Sequence, residues 1–377
     1  MLKIRSDIMR KLEATANIAD VRDMLAGAVL LEYATIPPYL TALFSIKEGN
    51  REARALVHSI VIEEMLHMTL AANTLIAIGG NPRIVADGLS LQYPGPLPMC
   101  VDEGLIVTLN SLTKEQTGTV FMEIERPDTH ATLPGETAPQ IDTMQGYASI
   151  GQFYKAIIKK LTELNARDPS IFAHPRLEQQ IDISKWFPPE IQRYPEGKVF
   201  DIDSARVVLE TIIRQGEGMD DGTDPIKPKE DPGGNYAHYF KFGEIFYGQR
   251  LVRDKEAESG WSYTGEPVPL DEKTIIKLYP NAALSDYRPG SGAYIAGKQF
   301  YEAYRSLMIS LDQTFNGSPE SLNAALGIMF ELKLVAQQVM QFRISDTVPP
   351  VYAAPPFMLS HPEISTPVER DRVHAVS

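Results

Sequence analysis

Cysteine is almost missing from this chain: Cys100 stands alone in 377 residues. One thiol excludes an intrachain disulfide, a Cys-rich zinc site and an iron–sulfur cluster, and nothing asks for an oxidising compartment. Positive charge is scarce as well, with 36 Lys and Arg against 49 Asp and Glu for a formal charge of -13. Nucleic acid and anionic membrane surfaces both demand basic patches, so neither is expected as the main partner. The opening MLKIRSDIMRKLEATANIADVRDML lacks the apolar segment of a secretory signal. No uninterrupted apolar run reaches the ~18 residues of a membrane span. A cytoplasmic protein is the expectation. Internal repeats and a clear domain boundary are absent too.

What is present is a globular composition, 44% hydrophobic and 23% charged, with helical patterning at both ends. Ile18, Val21, Leu25, Ala28, Glu32, Thr35 and Tyr39 fall at spacings of three and four, one stripe of a helix. Ala53, Leu56, Ile60, Glu64, His67, Ala71 and Leu75 repeat the pattern. The short turn KEGN joins the two, and IGGNP ends the second, so residues 18–80 are predicted to form an antiparallel helical hairpin. Residues 85–140, with LIVTLN and TVFMEIE, suggest strands and loops. Further helices are expected from about Tyr147, after Asp203 as N-cap, and over SGAYIAGKQFYEAYRSLMISLDQTF and PESLNAALGIMFELKLVAQQVMQF. The stretch DDGTDPIKPKEDPGGN reads as a surface loop, and YAHYFKFGEIFYGQRLV as helix or strand. Residues 1–345 are taken as one domain and 346–377 as a proline-rich tail that wraps the surface or is disordered.

The apolar stripes carry charges that need a reason. Glu64 and His67, three apart, share a helical face with core residues, and Glu32 holds the matching place on the partner helix. A buried carboxylate without compensation costs several kcal/mol. No arginine lies nearby in either stripe, and a divalent metal would compensate better. A Glu facing an E-x-x-H pair is half of the carboxylate-bridged di-iron or di-manganese arrangement of ferritin-like bundles. The bland alternative is a buried Glu32–His67 hydrogen bond. Glu63 faces ~100° away, as a salt-bridge partner or supporting residue. Pro37 and Pro38 free the carbonyls of Tyr33 and Ala34, and either kink the helix and widen the bundle or break it in two.

A second E-x-x-H is missing. The remaining candidates are Glu217 in RQGEG, His238 in YAHYF, Glu244 behind them and Gln152 at the start of the third helix. Glycines on both sides of Glu217 suit close approach, although a solvated helix end would look the same. Tyr33, Tyr39 and Tyr154 are candidates for lining a pocket, or for plain core packing. His58, His361 and His374 are taken as structural or solvated, and His130 and His174 are unassigned.

Together, LEYATIPPYLTALFSI, EEMLHMTLAANTLIAIGGNP, SIGQFYKAI, RQGEG, AHYFKFGEI and FNGSPESLNAALGIMFEL resemble the ferritin-like domain of the iminophenylpyruvate and indolepyruvate-imine dimer synthases of violacein- and rebeccamycin-type pathways. The resemblance covers roughly residues 15 to 345. It implies a mainly α, ferritin-like four-helix bundle with an inserted irregular or β-containing section and extra C-terminal helices. It also implies a role in oxidative specialised metabolism. The best-known members couple two imines derived from aromatic amino acids and have been linked to haem or iron. Glu32, Glu64 and His67 match the presumed metal-binding residues, and Glu217 and His238 the later motifs. Gln152 departs from the pattern, where Glu is expected, which puts two-metal occupancy in doubt.

Three functions follow as expectations. The first is a non-haem iron oxidoreductase, with Glu32, Glu64, His67, Glu217 and His238 as ligands and Mn as an alternative ion. It would use O2 or peroxide on an amino- or imino-acid-derived small molecule, as in oxidative imine coupling. The second is a redox-neutral lyase or isomerase on the same scaffold, and the third a metal-binding protein without catalysis. A haem held by His67 or His238 would be non-covalent, because no c-type attachment motif occurs. A homo-oligomer or a pathway partner enzyme fits any of the three.

Overall fold

The two prolines do not end the first long helix. In the computed structural model, which describes residues 3–100, 104–127, 132–136, 148–187, 197–218 and 236–360, α1 (Ser6–Ala14) leads into α2 (Ile18–Ser45) and α3 (Arg51–Ala77). Asn17 starts α2 by accepting the Ala19 N–H. The helix then runs unbroken through Pro37 and Pro38. Of the two carbonyls they free, that of Ala34 takes the Tyr93 hydroxyl at 2.6 Å, so an outside donor replaces one lost helical bond. Among the described residues α3 is the one helix long and apolar enough to cross a bilayer, and it lies buried inside the protein.

The section after the hairpin is more helical than its alternating sequence suggests. After α4 (Ile84–Gly88), extended chain forms isolated bridges among the described residues, Gly95 to Val107 and Cys100 to Ile4. After α5 (Lys114–Gln116), TVFMEIE, expected as a strand, instead belongs to a π-helical turn over Thr117–Phe121 and to α6 (Met122–Ile124). Tertiary packing overrides the period-two pattern here. The Phe121 ring meets Tyr39 edge-on at 4.9 Å and Phe242 at 5.1 Å.

α7 (Ile150–Arg167) and α8 (Ile202–Gly216) complete a closed ring in which α2 packs on α3, α3 on α8, α8 on α7 and α7 on α2. α8 is capped by Asp201, two residues before the expected Asp203. The ambiguous YAHYFKFGEIFYGQRLV is both things: α9 (His238–Tyr247), then β1 (Gln249–Arg253) paired antiparallel with β2 (Trp261–Pro267). α9 packs against α3. Outside the ring, α10 (Gly292–Phe315) and α11 (Leu322–Val339) form a second hairpin.

The presumed tail is exposed over 346–349 and then turns inward. β3 (Arg343–Ser345) pairs with β4 (Val351–Tyr352), and Ala353, Ala354, Phe357 and Leu359 are buried. Phe357 stands edge-on to Phe300 and Tyr304 of α10. Tyr147, the loop 220–235, His130, His361, His374 and the tail past 360 lie outside the described residues.

Candidate metal centre

α2, α3, α6 and α9 converge on one buried acidic cluster. Four carboxylates enter it, Glu32, Glu63, Glu64 and Glu125, each no more than 6% exposed. Two imidazoles, His67 and His238, and one ammonium, Lys241, are buried with them. The lysine, 2.8 Å from Glu63 Oε2, answers one negative charge. Three carboxylates and two imidazoles then face one another.

The donors around the cluster are spent on holding its acids in place. Tyr154 donates to Glu32 Oε1 at 2.5 Å, Tyr39 to Glu125 Oε1 at 2.5 Å, and Thr35 to Glu64 Oε2 at 2.6 Å. Burial, followed by the neighbouring carboxylates, pushes both tyrosine hydroxyls well above their ordinary range, so they stay protonated donors. Burial and then the charge of Glu125 lift the Glu64 carboxyl to about 7.

The histidines decide what the cluster is for. His238 Nε2 meets Glu63 Oε2 at 2.8 Å, and a carboxylate there fixes the proton on Nε2. Nδ1 consequently turns its lone pair inward, 2.8 Å from Glu64 Oε1 and 3.5 Å from Glu125 Oε2, and it is buried without a hydrogen-bond partner. His67 repeats the arrangement. Its Nε2 faces Gln215 Oε1 at 2.8 Å, and its Nδ1 lies 3.7 Å from both Glu32 Oε2 and Glu64 Oε1. Lone pairs of nitrogen and oxygen crowded together repel unless a proton or a cation stands between them. Burial would lower the His238 pKa, but Glu125, Glu63 and Glu64 reverse this and hold it well above the usual value. Because Nδ1 lacks hydrogen-bonding geometry to any of them, a cation suits the position better than a proton. An imidazole anchored through its far nitrogen by a carboxylate or amide is the normal support of a metal-binding histidine.

Glu64, His67 and His238 offer ligand atoms that all lie within 4.8 Å of one another. Beside them, among the described residues, is a cavity of about 20 Å³, lined also by Glu32, Glu125 and Glu217. That is room for an ion and solvent. A porphyrin does not fit there, which disposes of haem on His67 or His238 at this place.

The other sequence candidates divide. Glu217 ends α8 at the rim, half-buried, and accepts the Gly151 N–H at 2.7 Å. The close approach is made by Gly151, where a Cβ would fall 2.2 Å from Glu217 Oε2, whereas a Cβ at Gly216 would stand 3.9 Å from Glu125 Oε2. Glu63 supports His238 from behind, as its place on the helix suggested. Tyr39 reaches the cluster through Glu125.

Three candidates lie elsewhere. Gln152 completes the capping box of α7, its Oε1 accepting the Ser149 N–H at 3.3 Å. Glu244 spends both oxygens on Arg250, at 2.5 Å, and the Leu251 N–H, at 2.9 Å. The Tyr33 hydroxyl pairs with that of Tyr304 at 2.5 Å on another side of α2. Glu125, which no reading of the sequence singled out, belongs to the cluster. The π turn ahead of it is an irregularity often found at functional sites, and a lone Glu in apolar TVFMEIE was the available signal.

The comparisons agree with this architecture. A ferritin-like protein from Caulobacter vibrioides superposes with a TM-score of 0.51 at 20% identity, covering 86% of this chain and 96% of that one, a likeness of fold. No curated protein matches the sequence. The family model "Ferritin-like" matches residues 25–247, more than half of the chain, which takes in the ring from the middle of α2's first half onward and all of α9. The chain belongs to the ferritin-like family.

Proposed function

We propose that the chain is a metal-dependent oxidoreductase whose ion, iron in the first instance, is held by Glu32, Glu64, His67, His238 and Glu125, with Glu217 at the rim. The observation that carries this is the inward-facing, unpartnered Nδ1 of His238 among buried carboxylates. Carboxylate and imidazole donors suit Fe(II) or Mn(II), and such an ion supplies redox chemistry with O2 or peroxide. The chain's own residues do the rest. Tyr154, Tyr39 and Thr35 orient the carboxylates, Glu63 and Gln215 fix the imidazole tautomers, and Lys241 donates to Glu63 in a dry interior. From the resemblance, the substrate is an amino- or imino-acid-derived small molecule and the reaction an oxidative imine coupling in specialised metabolism. Iron-loaded protein is expected to consume O2 or peroxide with an aromatic imino acid generated in place, and His238→Ala to abolish this. Turnover without oxidant uptake would put redox-neutral chemistry in its place.

A second reading has one observation in its favour. The space of about 20 Å³ admits no substrate beside the ion among the described residues, which suits a protein that only holds metal. Nitric oxide added to the Fe(II) form separates the two: a new spectrum marks an open coordination position, and an unchanged one a closed shell.

A further inference from the structure

The other side of the α2–α3 hairpin has the reverse character. Between it and the α10–α11 hairpin lies a cavity of about 680 Å³, within the ~300–1,000 Å³ typical of small-molecule pockets. Its walls are apolar, among them Leu40, Phe44, Met65, Met308, Met329 and Trp186. The charged side chains that line it are all cationic, namely Arg51, Arg54 and Lys333, and His58 joins them. Among the described residues no Asp or Glu contributes, in a chain with 49 acidic residues to 36 basic.

The charges sit at one end. Arg51, Arg54 and His58 begin a stripe of α3 that continues as Ile62, Met65 and Thr69, and from Arg54 to Thr69 it is ~22 Å long at the helical rise. Lys333 and Arg54 both act on His58, whose pKa is lowered first by burial and then by these two charges. Antiparallel pairing puts the Tyr33–Tyr304 hydroxyl pair toward the far end. At 100° per residue this stripe lies roughly opposite Glu64 and His67 on the helix, so the cavity and the metal centre are separate.

We propose that this cavity binds one single-chain anionic amphiphile, of the long-chain fatty acid class, with its carboxylate at Arg51 and Lys333 and its chain along the apolar trough. Length, volume and the one-signed rim fit that ligand together. A flat face for a second copy of this chain would not need a trough of this volume with cations gathered at one end.

Trp186, one of two tryptophans in the chain, lines the cavity and reports on it. Titration of the full chain with sodium oleate below its micelle concentration is expected to change tryptophan emission saturably, at one oleate per chain, and Trp186→Phe to remove the response. The double variant Arg51→Gln, Lys333→Gln should weaken oleate about tenfold and leave the neutral probe oleyl alcohol unchanged. Both residues are exposed, so folding is not at risk. Arg54 is left alone because it donates to the carbonyls of Ile46 and Lys47 at the end of α2. Equal affinity for oleate and oleyl alcohol, full oleate affinity in the double variant, or no response at all would overturn the proposal. So would a dimer in sedimentation that Phe330→Asp dissolves while oleate leaves it untouched, which would assign the face to a second copy.

Discussion

The two sides of one helical hairpin are opposites. Toward α7, α8 and α9 it presents carboxylates and imidazoles, packed until only about 20 Å³ is left. Toward α10 and α11 it presents methionine, leucine and phenylalanine around about 680 Å³, with cations as the charged groups at the rim among the described residues. The same backbone periodicity serves both. What separates them is that the small, polar side concentrates like charge beyond what its own protein partners neutralise, whereas the large side leaves apolar surface without enough protein to cover it. Each imbalance points to a ligand of opposite kind: a cation for the first, an amphiphilic anion for the second.

Breaking the polar side directly should have the largest effect. Glu64→Gln or His238→Ala is expected to reduce bound metal from at least one ion per chain to nearly none, with far-ultraviolet circular dichroism preserved. Full metal loading in either variant would remove the basis of the contrast.

Next is the ammonium of Lys241, the one internal cation of the cluster among the described residues. Lys241→Met leaves Glu63 without its ammonium partner at 0% exposure, and chemical denaturation should show a loss of ~3–5 kcal/mol. A loss below ~1 kcal/mol would mean that the cluster tolerates bare charge, contrary to the argument above.

The third effect appears only when metal is stripped. Burial and then Glu125 raise the Glu64 pKa to about 7 from an ordinary 4.5, so the folded chain binds this proton more tightly than the unfolded one. Its contribution is full below about pH 4.5 and is lost as the pH rises through about 7, at most about 3 kcal/mol. The raised pKa of His238 acts in the same sense. In chelator, the stability of the wild type minus that of Glu64→Gln should therefore fall between pH 5 and pH 8, and bound metal should abolish the fall. A flat difference would show that Glu64 is not destabilised by its neighbours.

Smaller effects sharpen the edges of the site. Tyr154→Phe removes the donor to Glu32 and should weaken metal binding ~10–100-fold in competition with a chelating dye; an unchanged affinity would place Glu32 outside the coordinating set. Gln152→Glu should leave the metal count as it is and shift stability by no more than ~0.5 kcal/mol, since Glu serves a capping box equally well. A rise in metal per chain would return position 152 to the site.

The sequence disclosed the site where periodicity and chemistry coincide. Glu32, Glu64 and His67 are legible because three- and four-residue spacing puts them in stripes that otherwise read as core. His238 was legible as chemistry but not as structure, because its segment turns from helix to strand within a dozen residues. Glu125 escaped because TVFMEIE alternates like a strand, and only the contacts of Phe121 with Tyr39 and Phe242 show why it coils. Gln152 misled for the opposite reason: its helix position is right, but a local hydrogen bond to Ser149 claims it. Leu359 and its neighbours looked like tail because proline spacing hides how they fill the space beside α10.

Elemental analysis of the chain produced with iron in supply, beside His238→Ala prepared identically, goes most directly to the central claim. At least one transition-metal ion per wild-type chain, and almost none in the variant, is the predicted result. Equal loading of the two, or no metal in the wild type even after anaerobic reconstitution with Fe(II) and Mn(II), would contradict it.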